Sequence, residues 1–288
     1  MKRLASKLIV PIDSLKETSW STILLFSVLY CVYVTFINLV VFKSNILQPI
    51  SKLTLGLINQ TLTVNIVSVL IFVFIIILKC GRLSLFDIGF KKNRLLSTIA
   101  AIFILWIFMQ LLNIIVGLII SGKPIINNDW SKYGALKMFG SIIAQLFGNA
   151  LFEELAFRGF LLVQICKKLR GTKGDLFTGL AVSQLLFALI HIPNRILGGM
   201  SIFEILPSLI IVFILGLLFA TVYLVTDNIF LSIGIHALWN TPLLVFDGLP
   251  SMLVILIATI ILLIIWDKTF GKFSSKSNSP SNNLNCKI

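Results

Sequence analysis

Three short stretches of an otherwise apolar sequence carry side chains able to do proton chemistry. The first is Glu153-Glu154-Leu155-Ala156-Phe157-Arg158, the second ends Phe187-Ala188-Leu189-Ile190-His191, and the third is His236-Ala237-Leu238-Trp239-Asn240. On a helix, Glu154 and Arg158 stand at i and i+4 on one face in the favourable order. Glu153 points about 100° away and has no built-in counter-charge. Phe187 and His191 share a face by the same spacing, as do His236 and Asn240. A carboxylate or imidazole can take a proton from water, and a histidine beside an amide donor can stabilise the oxyanion of a tetrahedral intermediate. Two imidazoles, His191 and His236, with a carboxylate also form a catalytic zinc set with one position open for water. The residues alone leave both chemistries open. The chain has no HExxH and no ExxH, which counts against zincin and di-iron carboxylate sites.

A structural reading competes for each residue. Glu154 and Arg158 can be an ion pair that locks helices together, and a lone histidine in a membrane helix is commonly a hydrogen-bonded helix contact. The conjunction favours chemistry: the only two histidines of the chain and an unpaired glutamate all fall in its second half.

The elements that must position these groups are transmembrane helices. Hydrophobic residues make up 58% of the 288 residues, charged ones only 12%, and the mean hydropathy is +1.03, so lipid must cover most of the surface. Apolar runs near 20-42, 55-78, 96-120, 136-166, 176-192, 203-226, 229-246 and 251-266 approach the roughly 20 residues that a helix needs to cross a bilayer. The expected fold is all-α, a polytopic transmembrane helical bundle of about eight spans. Residues 1-19 form an N-terminal cytoplasmic segment, 20-266 a single bundle, and 267-288 a polar, disordered tail.

The net charge of +13 lies in short clusters between apolar runs, not on a basic face, so nucleic acid is not an expected partner. Lys2, Arg3, Lys7 and Lys16 precede the first run, five basic residues lie from Lys79 to Arg94, four from Lys167 to Lys173, and four follow Trp266. The alternate loops hold only Lys43, Lys52, Lys123, Lys132, Lys137 and Arg195. Lys and Arg concentrate on the cytoplasmic side, so both termini are expected inside. The cysteines are singletons without a CxxC pair, which argues against a zinc ribbon or disulfide scaffold. Cys286 is third from the end, so the chain carries no prenylation signal of its own.

Glu153-Glu154-x-x-x-Arg158, Phe187-x-x-x-His191 and His236-x-x-x-Asn240, in this order on successive spans, resemble the three motifs of the CAAX-processing and bacteriocin-processing (CPBP, or Abi/CAAX protease self-immunity) family. The likeness covers about residues 136 to 246. It implies an eight-helix intramembrane endopeptidase with a cavity reached from one side of the membrane. By that resemblance Glu153 activates water with His191, and His236 and Asn240 hold the oxyanion. In the metalloprotease description, His191 and His236 bind zinc instead. Glu154, Arg158 and Phe187 support the site. The implied partners are the lipid bilayer and a peptide or membrane-anchored protein substrate. The composition looks bacterial, which points to a multi-pass plasma-membrane protein in bacteriocin or peptide processing, self-immunity or signalling. The alternative is a non-catalytic membrane scaffold or immunity protein that binds a peptide or a sensor partner. A proton-coupled transporter would show matched halves with broken helices, and none is evident.

Two local features carry further expectations. His191 lies only about 6 Å along a helix from Arg195, while Glu153 sits near mid-span on the same count. The membrane segment is therefore expected to continue past Pro193, with Arg195 in the cavity. Pro242, two residues after Asn240, is expected to distort the seventh helix.

Overall fold

A computed structural model of the chain describes residues 10–172 and 174–269. The fold is an all-α helical bundle. Its helices are α1 (Trp20–Phe42), α2 (Gln60–Cys80), α3 (Lys92–Ser121), α4 (Ala135–Lys168), α5 (Asp175–Leu197) and α6 (Ile202–Thr226), each long and apolar enough to cross a membrane. Two shorter apolar helices follow, α7 (Ile229–Asn240) and α8 (Ser251–Thr269). Rows of exposed aliphatic and aromatic side chains, such as Leu24, Val28 and Val32 on α1 and Ile99, Phe103 and Ile107 on α3, have no protein to cover them. They face lipid, and the chain is a multi-pass membrane protein.

Polar residues placed just before the apolar runs start the helices. Ser19 accepts from the Thr22 amide ahead of α1, Asn59 from Leu62 ahead of α2, and Asn228 from Leu231 ahead of α7. Ser201 and Glu204 form a reciprocal capping box on α6.

The core lies around α4. From Glu154 to Cys166 every residue of this helix is buried. An aromatic cluster of Phe26, Tyr30, Phe72, Phe152 and Phe160 fills the space against α1 and α2, with Tyr30 4.9 Å from Phe152 and Phe26 5.2 Å from Phe160. Helix α5 packs between α4 and α6, and α7 packs against α3, α4 and α6. Glycines let the backbones approach: a Cβ on Gly159 would run into the Ile88 carbonyl, and one on Gly179 into the Cys166 sulfur.

One end of the bundle is closed. The segment before α1 crosses it, with Thr18 donating to Gln164 Oε1 at 2.8 Å and Lys16 donating to Asp87 Oδ1 at 2.8 Å. Lys167 Nζ donates to the Ile12 carbonyl at 3.1 Å, and Val10 and Leu15 are buried beneath the segment. Burial alone would raise the Asp87 carboxyl. The Ser84 hydroxyl and the Lys16 and Ser84 amides outweigh that and hold it below the usual carboxylate range. The stability that these bonds contribute is complete at neutral pH and fades as pH falls through that depressed value.

The opposite end differs from the expected spans in two places. Helix α7 stops at Asn240, not near residue 246. Pro242 cannot continue it, and the chain leaves in extended form to pair Phe246–Asp247 (β2) with Ile125–Ile126 (β1). Gln110 and Asn113 inside α3 accept from the backbone of that extended stretch. Before α2, which starts at Gln60, a turn follows the short helix Gln48–Leu53 and occupies the first residues of the span expected from 55. Helix α5 breaks at Ile190–His191 and resumes over Ile192–Leu197, so the apolar segment does continue past Pro193. The polar tail expected after 266 falls outside the described residues beyond Thr269, as do residues 1–9.

Replacing Gly159 by Ala is expected to destabilise the fold by about 1 to 3 kcal/mol, because the new methyl meets a backbone carbonyl that has no rotamer with which to yield. Thermal melting in detergent measures this, and an unchanged melting temperature would show that the α4 contact at Ile88 is looser than described.

Candidate active site

Helix α4 widens into π-type turns at Gln145–Asn149 and at Glu154–Leu162, on either side of Glu153. Such turns are frequent at functional sites because they re-aim side chains without ending the helix. Here they leave Gln145, Asn149 and Glu153 along the wall of a cavity of about 740 Å³, and turn Glu154 and Arg158 into the core.

Arg158 has no exposed surface and reaches Glu154 Oε1 at 3.0 Å. Its guanidinium lies 4.0 Å over the Phe187 ring and 5.5 Å from that of Phe219, so two aromatic faces stand where water would otherwise solvate it. The charge-pairing expected of Glu154 and Arg158 is thus present, but Glu154 does more. Its Oε1 accepts from His236 Nδ1 at 2.8 Å and its Oε2 from the Ser232 hydroxyl at 2.6 Å.

His236 is thereby fixed. One edge of its ring is tied to Glu154, one face stacks on Phe219 at 4.5 Å and 17°, and Nε2 points to Glu153 Oε2 at 3.5 Å. The roughly 100° between successive helical residues is what allows Glu153 and Glu154 to reach opposite edges of one imidazole. Glu153 is 6% exposed, and its Oε2 has no hydrogen-bond partner.

His191 sits at the α5 break, where its Nδ1 bonds the Phe187 carbonyl at 2.8 Å and Phe187 meets its ring edge-on at 4.9 Å. A carbonyl and a carboxylate only accept, so Nδ1 carries the proton in both histidines. In their neutral forms each presents an Nε2 lone pair on its free edge. Asn240 Nδ2 donates to Gln145 Oε1 at 3.0 Å and keeps a second N–H free. Glu153, His191, His236, Asn240 and Phe187 all line the same cavity, while Glu154 and Arg158 lie behind it. Arg195 lines it as well, and its Nε is buried without a hydrogen bond.

The boundaries of this block can now be set beside known families. Residues 135–242 match the family of type II CAAX prenyl endopeptidases, Rce1-like. The likeness stated from the three motifs is thus shown, and the match begins with the first residue of α4 and ends at Pro242, just beyond α7. Helices α1 to α3 and α8 lie outside it, although α1 and α2 supply part of the cavity wall around the Rce1-like segment. The matched family is one of CAAX proteases. No curated protein and no solved structure gave a match.

The donor types fit zinc, since His191 and His236 have their second nitrogens oriented by a carbonyl and a carboxylate, as zinc-binding imidazoles usually do. Among the described residues, however, no three His, Cys, Asp or Glu side chains stand grouped to hold a metal.

Several partners were not singled out from sequence. Ser232 lies one turn before His236, and Gln145 and Asn149 lie two turns and one turn before Glu153. A polar stripe at intervals of four in an apolar helix was the available signal. Nothing in the sequence linked Glu154 to His236.

Glu154→Gln is expected to cost about 3 to 5 kcal/mol, because it leaves Arg158 buried without a counter-charge and removes the anchor of His236. A melting temperature equal to that of the unaltered protein would contradict this placement.

Proposed function

We propose that the chain is an intramembrane endopeptidase of a bacterial plasma membrane, acting on peptide or membrane-anchored substrates in bacteriocin or peptide processing, self-immunity or signalling. The observation that carries the reading is the unpartnered carboxylate oxygen of Glu153 in a cavity that also receives His191, His236 and Asn240. An ionised group left without a hydrogen bond in a buried site is costly, and a water molecule that it can deprotonate is its natural partner. The Rce1-like match gives this chemistry a precedent over the same helices.

In this reading Glu153 takes a proton from a water molecule as the water oxygen attacks the substrate carbonyl carbon. The His191 Nε2 lone pair accepts the second water proton as a hydrogen bond and so fixes the direction of attack. The carbonyl electron pair moves onto oxygen, where the free N–H of Asn240 donates to it. His236, whose Nδ1 is tied to Glu154, can donate from Nε2 only as the imidazolium. Glu153 then returns its proton to the amide nitrogen, the oxyanion electron pair re-forms the carbonyl, the C–N bond breaks, and a carboxylic acid and an amine leave, the acid losing its remaining proton to solvent.

A zinc-assisted version is favoured by one observation, the orientation of both imidazoles through Nδ1. His191 and His236 would hold the ion, which when bound would supply Lewis acidity to water and carbonyl. The same residues would then need Asn240 only to orient a ligand.

Glu153→Gln is expected to leave the protein folded and inserted, as read by melting and membrane yield, while abolishing cleavage of membrane-anchored peptides. Turnover near that of the unaltered chain would remove Glu153 from the role of base. Asn240→Ala separates the two chemistries. As an oxyanion donor its loss lowers kcat by about 10² to 10³ with bound zinc unchanged. An inactive Asn240→Ala that has lost metal and recovers on adding zinc would contradict the donor role, since loss of a ligand-orienting residue weakens metal affinity by about 10- to 100-fold.

A further inference from the structure

The cavity is open at one end of the bundle only, and the side can be read. Its lining comes from the C-terminal part of α1 (Tyr33 to Phe42), the N-terminal part of α2 (Thr61 to Ser68) and the ends of α5 and α7. These are the helix halves that share one membrane face. The other face is closed by the segment before α1, by the Gln164, Lys16 and Asp87 bonds, and by the fully enclosed second half of α4.

The closed face is the basic one. Its described connections carry Lys79, Arg82, Lys91, Lys92 and Arg94 between α2 and α3, and Lys167, Lys168 and Arg170 between α4 and α5. The longer connections at the open face carry Lys43, Lys52, Lys123, Lys132 and Lys137. Arg195 also belongs to that face but lines the cavity instead of the loop surface. Short loops dense in Lys and Arg stay in the cytoplasm.

We infer that the cavity opens away from the cytoplasm, so that its substrates are extracytoplasmic peptide segments and not the ends of cytosolic proteins. This rests on reading the cavity as the peptidase site. The wall suits such an occupant. Carboxamides of Asn65, Asn149 and Asn194 offer donors and acceptors to the backbone of an extended peptide, and Tyr33 and Trp239 offer apolar faces to its side chains. Substrate that has already crossed the membrane would reach Glu153 through this mouth without passing the sealed end.

Accessibility of single cysteines in intact cells tests the orientation, in a chain whose own cysteines are replaced by alanine. Asn194→Cys, at the cavity mouth, is expected to react with a membrane-impermeant maleimide added outside, and Thr172→Cys, at the closed face, only after permeabilisation. The reverse pattern overturns the inference, as does equal labelling of both positions before permeabilisation. If the cysteine-free chain does not accumulate, an epitope inserted at Gly122 or at Gly171, exposed turns on the open and closed faces, reads the same question with every native cysteine in place. Detection of the Gly171 epitope alone on intact cells refutes it. Neither readout needs turnover, so a failed cleavage assay would count against the peptidase reading and leave the orientation standing.

Discussion

Glu154 has no exposed surface, yet it is bonded on both oxygens, to Arg158 and His236 through one and to Ser232 through the other. A carboxylate taken so completely from water is tolerated only where its lone pairs are used, and the positions of three helices follow from using them. Arg158 comes from the same helix, but Ser232 and His236 come from α7, one turn apart. Meeting both fixes the rotation of α7 and its depth against α4. Phe219 of α6 must then lie flat on the His236 ring, and Phe187 of α5 must fill the space between Arg158 and His191. The reactive edges of the cavity are consequences of how one buried charge is satisfied.

The surrounding bundle makes that arrangement stiff. In lipid the helices gain little from hydrophobic burial against one another, so close backbone approach and polar contacts decide where they rest. Gly159 against Ile88, Gly179 against Cys166 and Gly216 against Gln184 supply the first. At the closed end the second comes from Asp227, which receives Lys91 at 2.7 Å and Arg94 at 3.6 Å, and from Gln164, which ties α4 to the segment before α1. The open end is tied as well, where Gln110, Asn113 and Trp130 bond the extended stretch after Pro242, which also pairs with β1.

Much of this was legible in the sequence because an apolar chain makes its polar residues conspicuous. Glu153, Glu154, Arg158, His191, His236 and Asn240 stand out against their neighbours, their spacings define helical faces, and the depth mismatch between His191 and Glu153 left either a tilted fifth helix or an apolar segment continuing past Pro193, of which the second was favoured. The Glu154 to His236 contact was not legible. It depends on the register between α4 and α7, which no local spacing records, and on π-type turns that alter which residues of α4 share a face. The end of α7 was misread by six residues because the stretch from Thr241 to Phe246 is apolar enough to resemble a span. Pro242 and the pairing with β1 override that composition. The closure by the segment before α1 was hidden for another reason. Lys16 and Thr18 bond through backbone amides, which every residue possesses.

The adjacency of two glutamates with different fates follows from the same geometry. Both oxygens of Glu154 are engaged, by hydrogen bonds from an imidazole and a hydroxyl and by ion pairing with a guanidinium, and none of its surface reaches the cavity. Glu153, one residue earlier and rotated about 100°, has no cation within salt-bridge reach except the His236 ring, and one of its oxygens is unbonded. His236 joins them. Its Nδ1 edge meets Glu154 at 2.8 Å and its Nε2 edge faces Glu153 at 3.5 Å, so a single ring lies between the two carboxylates. Exchanging the two roles would demand that Glu154 release Arg158, the cation it pairs with at 3.0 Å inside the core. The division between a paired and an unpartnered carboxylate is therefore set by where Arg158 falls, four residues after one glutamate and five after the other.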